Sequence, residues 1–261
     1  MDLGLQDKVV FIAGASRGIG YGMAEAFLKE GAKVAITGRT EASLDDAQKS
    51  LSAHAPAGRL LSIAGDMTRS DAIAGALEAT ISTLGPLHTV IANVGLGRAP
   101  LGFDVSDEDW EFDIRQNLTG AMSLAREALT RVLKSDPAQR DGANLIFISS
   151  IAGVDAMGTS LPYAATKAAL NHVTKAMAKS VGKEGVRVNA IAPGNILFEG
   201  GVWDRNTKER PDAWSRWIKR EVALRRFGKV EEIADAALWL ASPRASFVTG
   251  AVIVVDGGQV R

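Results

Sequence analysis

The feature that most constrains this chain is the alternation of short, unbroken apolar runs with helical stretches. "KVVFIAGAS" (8–16), "KVAITGR" (33–39), "RLLSIAGD" (59–66), "LHTVIANVG" (87–95), "LIFISS" (145–150), "RVNAIAPG" (187–194) and "VIVVDGG" (252–258) read as strands. Most are continuous Val, Ile, Leu and Ala without apolar–polar alternation, the pattern of parallel strands covered on both faces. Helices are expected at 20–32, 41–53, 70–84, 106–133 (broken near Gly120), 162–182, 204–222 and 230–241. A strand–helix–strand order of this kind builds a doubly wound α/β fold, with helices on both faces of one parallel sheet. No repeat, linker or composition shift divides the chain, so residues 1–261 read as a single domain. Ligands of such folds bind beyond the carboxyl ends of the strands.

Composition narrows the function. Lys and Arg number 30, Asp and Glu 30, and this balance argues against a protein built to coat nucleic acid or an anionic membrane. There is no cysteine, which excludes disulfides, thiolate catalysis and cysteine-ligated metal. His54, His88 and His172 are too scattered to suggest a metal site. No stretch approaches the roughly 18 apolar residues of a membrane span, and the N-terminus lacks a signal-peptide pattern. A cytoplasmic protein is expected.

The first strand runs into "GASRGIG" (14–20), with Gly14, Gly18 and Gly20 at the entrance to a helix and Ser16, Arg17 and Ile19 between them. Absent β-carbons allow a tight turn and the close approach of a pyrophosphate, and the helix start offers unpaired N–H groups. The alternative is a glycine turn with no ligand. NAD sites usually carry an acidic residue near the end of the second strand. Here that end reads "TGRT" (37–40), with Arg39 and no carboxylate before Glu41. Together with Arg17 this suits a 2′-phosphate, so NADP(H) is expected in preference to NAD(H).

"PYAATKAAL" (162–170) sets Tyr163 four residues before Lys167, on one face of an alanine-rich helix. Reduction of a ketone needs a proton at oxygen, and an unperturbed phenol, with a pKa of about 10, gives one up reluctantly near neutrality. An ammonium ~4 Å away would stabilise phenolate by roughly 4 kcal/mol at an effective dielectric of ~20. Lys167 is therefore expected to depress the Tyr163 pKa. The plain alternative is an ordinary alanine-rich helix.

With these residues in hand, the chain resembles the short-chain dehydrogenase/reductase family over essentially its whole length, and the resemblance implies a single Rossmann-type domain. "GASRGIG" is similar to the family's cofactor turn, with Ala13 where Thr is usual. The resemblance implies that Asp66, with Met67 beside it in "GDMT", meets the adenine, and that Asn93 and Gly95 in "ANVG" stand in the run after the fourth strand. It implies a catalytic set of Asn117, Ser150, Tyr163 and Lys167. Ser150 is preferred to Ser149 because it precedes Tyr163 by the family's thirteen residues. In this set Tyr163 is the acid/base, Ser150 holds the substrate oxygen, Lys167 also holds the nicotinamide ribose, and Asn117 holds a water leading from Lys167 to solvent. Asn117 can also be read as a helix-kink residue. Pro193 and Gly194 resemble the turn at the nicotinamide carboxamide. The usual Thr four residues on is Phe198, so only the Ile196 backbone carries over there. No metal is implied. Homotetramer formation through the helices at 106–133 and 162–182 is implied, with a small carbonyl or alcohol as substrate.

Residues of about 195–225 correspond to the family's substrate lid. They carry Phe198, Trp203, Trp214 and Trp217, and residues 205–226 hold eight Arg/Lys against three acids. One reading is an aromatic-walled pocket for an anionic substrate. The other, which we favour, is a solvated amphipathic helix with its tryptophans in a core or subunit contact. A 3-oxoacyl-carrier-protein reductase is the nearest specific identity, weakened by Glu184 where a basic docking residue is usual. A catalytically silent NADP-binding sensor of the same fold is the alternative from another class.

Overall fold

A computed structural model describes residues 2–140 and 142–260. The elements in chain order are β1 (Val9–Ala13), α1 (Gly18–Lys29), β2 (Lys33–Gly38), α2 (Glu41–Leu51), β3 (Leu60–Ala64), α3 (Ser70–Leu84), β4 (Leu87–Ala92), α4 (Asp107–Ile114), α5 (Gly120–Lys134), the one-turn α6 (Pro137–Arg140), β5 (Asn144–Ile148), α7 (Leu161–Val181), β6 (Arg187–Pro193), α8 (Val202–Glu209), α9 (Pro211–Glu221), α10 (Val230–Ala241) and β7 (Val252–Val255). The strands form one seven-stranded sheet in the order β3-β2-β1-β4-β5-β6-β7. Every pairing is parallel.

Alternate residues of the buried strands feed two cores. Val10 and Ile12 of β1 meet Met23 and Phe27 of α1 and Leu240 of α10 on one face. Val9, Phe11 and Ala13 meet Ile73 and Leu77 of α3 and Leu124 of α5 on the other. Covering both faces is why the strands lack polar alternation, and each large side chain so buried stabilises the fold by roughly 1.5–3 kcal/mol. The chain runs outward from β1 to β3, then crosses back to β4 beside β1. The reversal opens a crevice at the carboxyl ends of β1 and β4, where such sheets take their ligands.

Two expected helices differ in detail. The 106–133 stretch is α4 and α5 joined by a π turn over Arg115–Thr119, so the irregularity precedes Gly120. Gly120 itself is tightly packed: a β-carbon there would lie 3.2 Å from the Thr68 backbone. The 204–222 stretch is two helices, because Pro211 cannot continue α8 but is suited to the first turn of α9.

Candidate active site

The glycine turn is fixed from both neighbouring strands. The Gly14 N–H donates to Thr37 Oγ1 (3.0 Å), and the Ala15 N–H to the Thr37 carbonyl (2.8 Å). Asn93 Nδ2 donates to the Gly14 carbonyl (2.6 Å). A β-carbon on Gly20 would fall 2.2 Å from that same carbonyl, so only glycine lets α1 start this close to β1. The first turn of α1 carries no acidic residue, which leaves its positive end unopposed.

A cleft of about 440 Å³ runs along the strand ends. It is lined by Gly14, Ser16, Arg17 and Ile19 of the turn, Arg39 after β2, Asp66 and Met67 after β3, Asn93 and Gly95 after β4, Ser150 after β5, Tyr163 and Lys167 of α7, and Pro193, Gly194 and Ile196 from the end of β6. Of the residues expected from sequence, Gly18, Gly20 and Asn117 do not line it. Gly18 is covered by the Phe198 ring, Gly20 lies under Gly14 and Asn93, and Asn117 lies behind Gly95. Asp66 Oδ1 accepts from the Thr68 N–H and hydroxyl (3.0 and 2.8 Å). A glycine turn, two exposed guanidiniums without an ion-pair partner among the described residues, and a carboxylate toward the far end fit an elongated anionic dinucleotide.

Across the cleft, Pro162 opens α7 and presents Tyr163 and Lys167 one turn apart. Lys167 Nζ sits 5.6 Å from the Tyr163 ring centroid and donates to the Ile148 carbonyl (2.9 Å). Burial lowers its pKa from 10.5 to about 8. The phenol is not depressed as expected. Burial pushes the Tyr163 pKa up, a hydrogen bond to the Ser150 side chain opposes this, and Asp113 adds to the rise. The ammonium is directed at a backbone carbonyl rather than at the phenol oxygen, so loss of solvation prevails. The adjacent serines divide their roles: Ser149 Oγ donates to the Lys167 carbonyl (3.2 Å) and ties β5 to α7, while Ser150 faces Tyr163.

Asn117 is fully buried, and its amide clamps the loop after β4. Its Oδ1 accepts from the Leu96 N–H (3.0 Å), and its Nδ2 donates to the carbonyls of Leu96 (2.8 Å) and Asp113 (2.9 Å). Between Asn117 and Lys167 lies Gly95, where a β-carbon would be 2.9 Å from Asn117 Oδ1 and 3.0 Å from Lys167 Nζ. The side chain that sequence reasoning linked to a water is thus engaged with backbone.

Asp113 escaped the sequence reading. Its side chain is fully buried, its Oδ2 has no hydrogen-bond partner among the described residues, and Oδ1 accepts only a long bond from the Arg98 N–H (3.5 Å). Burial holds its carboxyl above the usual carboxylate range. A signal was present: Asp113 precedes Asn117 by four residues, which puts both on one helix face.

The lid tryptophans pack on one another. Trp203 stacks on Trp217 (5.4 Å between centroids) and meets Trp214 edge-on (5.1 Å), with Phe227 at 5.4 Å. Trp203 also lines the cleft, together with Arg205, while Trp214, Trp217 and the other basic residues of 205–226 do not. The basic, aromatic segment is therefore a pair of amphipathic helices whose half-buried tryptophans pack on one another, neither the single helix with tryptophans in a core that was favoured nor an aromatic wall around the cleft, which only Trp203 reaches.

Comparison with known proteins identifies the family. A family model described as enoyl-(acyl carrier protein) reductase matches residues 14–259. The 3-oxoacyl-[acyl-carrier-protein] reductase of Chlamydia muridarum is 35% identical, over 98% of each chain. The chain belongs to the short-chain dehydrogenase/reductase family. Glucose 1-dehydrogenase 2 of Bacillus subtilis, 31% identical over 98% of this chain and 95% of its own, is another relative. L-Sorbose reductase of Gluconobacter frateurii, solved with NADPH and L-sorbose, superposes with a TM-score of 0.89 at 30% identity, covering 100% of this chain and 99% of its own. As a short-chain dehydrogenase/reductase the protein is an oxidoreductase acting on carbonyl or CH–OH groups with a nicotinamide cofactor. No helix among the described residues is long and apolar enough to cross a membrane.

Proposed function

We propose that the protein is an NADP(H)-dependent oxidoreductase interconverting a small carbonyl compound and its secondary alcohol, with Tyr163 as general acid/base. The observation that carries this is one cleft lined both by Arg17 and Arg39, which follow β1 and β2, and by Ser150, Tyr163 and Lys167, which follow β5 or lie on α7. Arg17 and Arg39 receive the 2′-phosphate, the turn from Gly14 to Gly20 the pyrophosphate, and Asp66 with Met67 the adenine. Asn93, Gly95, Pro193, Gly194 and Ile196 line the nicotinamide end. The bound nicotinamide supplies or accepts the hydride. Ser150 holds the substrate oxygen against the Tyr163 hydroxyl, and Tyr163 gives that oxygen its proton. Lys167, with a pKa of about 8, remains mostly protonated at neutral pH, and its positive charge one helical turn away opposes the burial that disfavours phenolate. Asn117 acts through the Leu96 backbone, keeping the loop after β4 beside Lys167.

The enzyme acts as a single domain with a lid at about 195–225, in the cytoplasm, as a homotetramer packed through α4–α5 and α7; a monomer in light scattering would contradict the assembly. The substrate is a small carbonyl compound of the kinds its relatives' names include: 3-oxoacyl thioesters, keto-sugars or lactone ketones. Docking of an acyl carrier has little support near β6, since Glu184 is ion-paired to Arg140 (3.1 Å). The test is NADPH oxidation over these ketones, with NADH in parallel. Turnover with NADPH on one class is expected, and turnover on none, with NADPH nevertheless bound, would favour a silent sensor.

A further inference from the structure

Two contacts join the lid to the glycine turn. The Phe198 ring lies against Gly18, with ring carbons 2.7 Å from where a β-carbon on that glycine would sit. Two residues further on, the Gly200 carbonyl accepts from Arg17 Nη1 of the turn (3.4 Å) and from Arg205 Nη1 of α8 (3.0 Å). Two guanidiniums thus converge on one neutral oxygen. Neither has an ion-pair partner among the described residues, and Arg39, also without one, lines the same cleft.

The Asp204 carboxyl, held below its usual pKa first by Lys208 and in smaller part by the Arg205 charge, makes no ion pair with Arg205. Asp204, adjacent to Arg205, is engaged with the Gly200 N–H (2.9 Å) and Lys208 Nζ (2.9 Å). Glu199 is exposed and forms no ion pair among the described residues. Like charges drawn to one carbonyl repel, and an anion between them would convert repulsion into charge-assisted hydrogen bonds. Arg205 and Arg17 already border the cleft, so the anion that fits is one carried by the ligand of that cleft.

We infer that Arg205 is a lid-borne ligand for a phosphate of the dinucleotide, so that cofactor binding and lid closure are one event. The inference rests on the cofactor reading above and adds to it a residue outside the turn and the strand ends. Arg17 and Arg205 swing from the Gly200 carbonyl onto phosphate oxygens, and α8 follows Arg205. Trp203, two residues before Arg205, is stacked within the lid's aromatic cluster, so α9 is drawn in with α8. The substrate end of the cleft closes as the cofactor binds.

The test pairs calorimetric titration of NADPH and NADH with hydrogen exchange over residues 198–209, in wild type, Arg205→Ala and Arg216→Ala. Arg205 is exposed, so its replacement leaves the fold intact. Loss of a charge-assisted bond raises the NADPH Kd by about tenfold, and Arg205→Lys recovers part of the loss. NADPH slows exchange over 198–209 in wild type and fails to do so in Arg205→Ala. Arg216→Ala removes the same charge from α9 outside the cleft, and its Kd stays within about twofold of wild type at moderate salt. A loss confined to NADPH assigns the contact to the 2′-phosphate, and an equal loss with NADH assigns it to the pyrophosphate. Unchanged NADPH affinity in Arg205→Ala, or unchanged protection of the lid, overturns the inference while leaving the cofactor reading intact. Wild-type protein that binds neither dinucleotide overturns both.

Discussion

Lys167 is 3% exposed and carries its charge into the interior, so replacing it should make the protein more stable as it becomes inactive. Its pKa falls from 10.5 to about 8 through burial. At neutral pH that depression corresponds to roughly 3 kcal/mol held against the folded state. Methionine fills similar volume without charge, but leaves the Ile148 carbonyl without its donor, a loss of about 1 kcal/mol. Lys167→Met should therefore stabilise the cofactor-free protein by about 2 kcal/mol at pH 7, raising Tm by several degrees. The sign with pH follows from the lowered folded value. Below about 8 the lysine is protonated in both states and the penalty is complete; between about 8 and 10.5 the folded state sheds its proton first and the penalty shrinks; above 10.5 both states are neutral. The gain in Tm should be full at pH 7 and decline steadily through pH 8 to 10.5. Thermal unfolding of both proteins across that range is the assay. A lower Tm for Lys167→Met at pH 7, or a gain indifferent to pH, would refute the reasoning.

Three further perturbations address the rest of the site. Arg39→Asp should invert the preference for NADPH over NADH in kcat/KM, by at least about tenfold in the ratio, because a carboxylate repels the 2′-phosphate and accepts from a ribose hydroxyl; wild type that already prefers NADH would show the guanidinium reading to be wrong. Gly95→Ala places a methyl 2.9 Å from Asn117 Oδ1 and 3.0 Å from Lys167 Nζ; turnover should fall roughly 10- to 100-fold as those groups are forced apart, with circular dichroism unchanged, and normal turnover would show that their convergence is not needed. Asp113→Asn removes a negative charge that raises the Tyr163 pKa, so the phenol should ionise at lower pH; the protein has only two tyrosines, so near-ultraviolet difference titration against Tyr163→Phe isolates the signal, and an unmoved midpoint would exclude the coupling.

The sheet was legible because its signal is local: "VVFIA" (9–13) and "LIFI" (145–148) are apolar throughout, the pattern of strands covered on both faces. The glycine turn and the Tyr163–Lys167 spacing were legible for the same reason, since each is a short motif whose geometry the backbone dictates. What escaped depends on contacts distant in sequence. The sign of the Tyr163 shift was misread because helix spacing shows that Lys167 is near but not that its Nζ is directed at Ile148, nineteen residues away. Asn117 offered an amide to any partner, and only the fold shows it spent on the Leu96 backbone. Arg205 read as one of eight basic residues, and its difference from the others is that α8 brings it to the glycine turn. Pro211 was in plain view, yet the break it makes between α8 and α9 was passed over in favour of one amphipathic stretch.

The central claim is that Tyr163 supplies the proton. The most direct measurement is single-turnover reduction of a ketone by NADPH with Tyr163→Phe, which keeps the half-buried ring in the cleft wall and removes the hydroxyl. The account predicts a rate at least ~100-fold below wild type, the usual lower range for losing general acid catalysis, with the NADPH Kd nearly unchanged. A single-turnover rate close to that of wild type would contradict it.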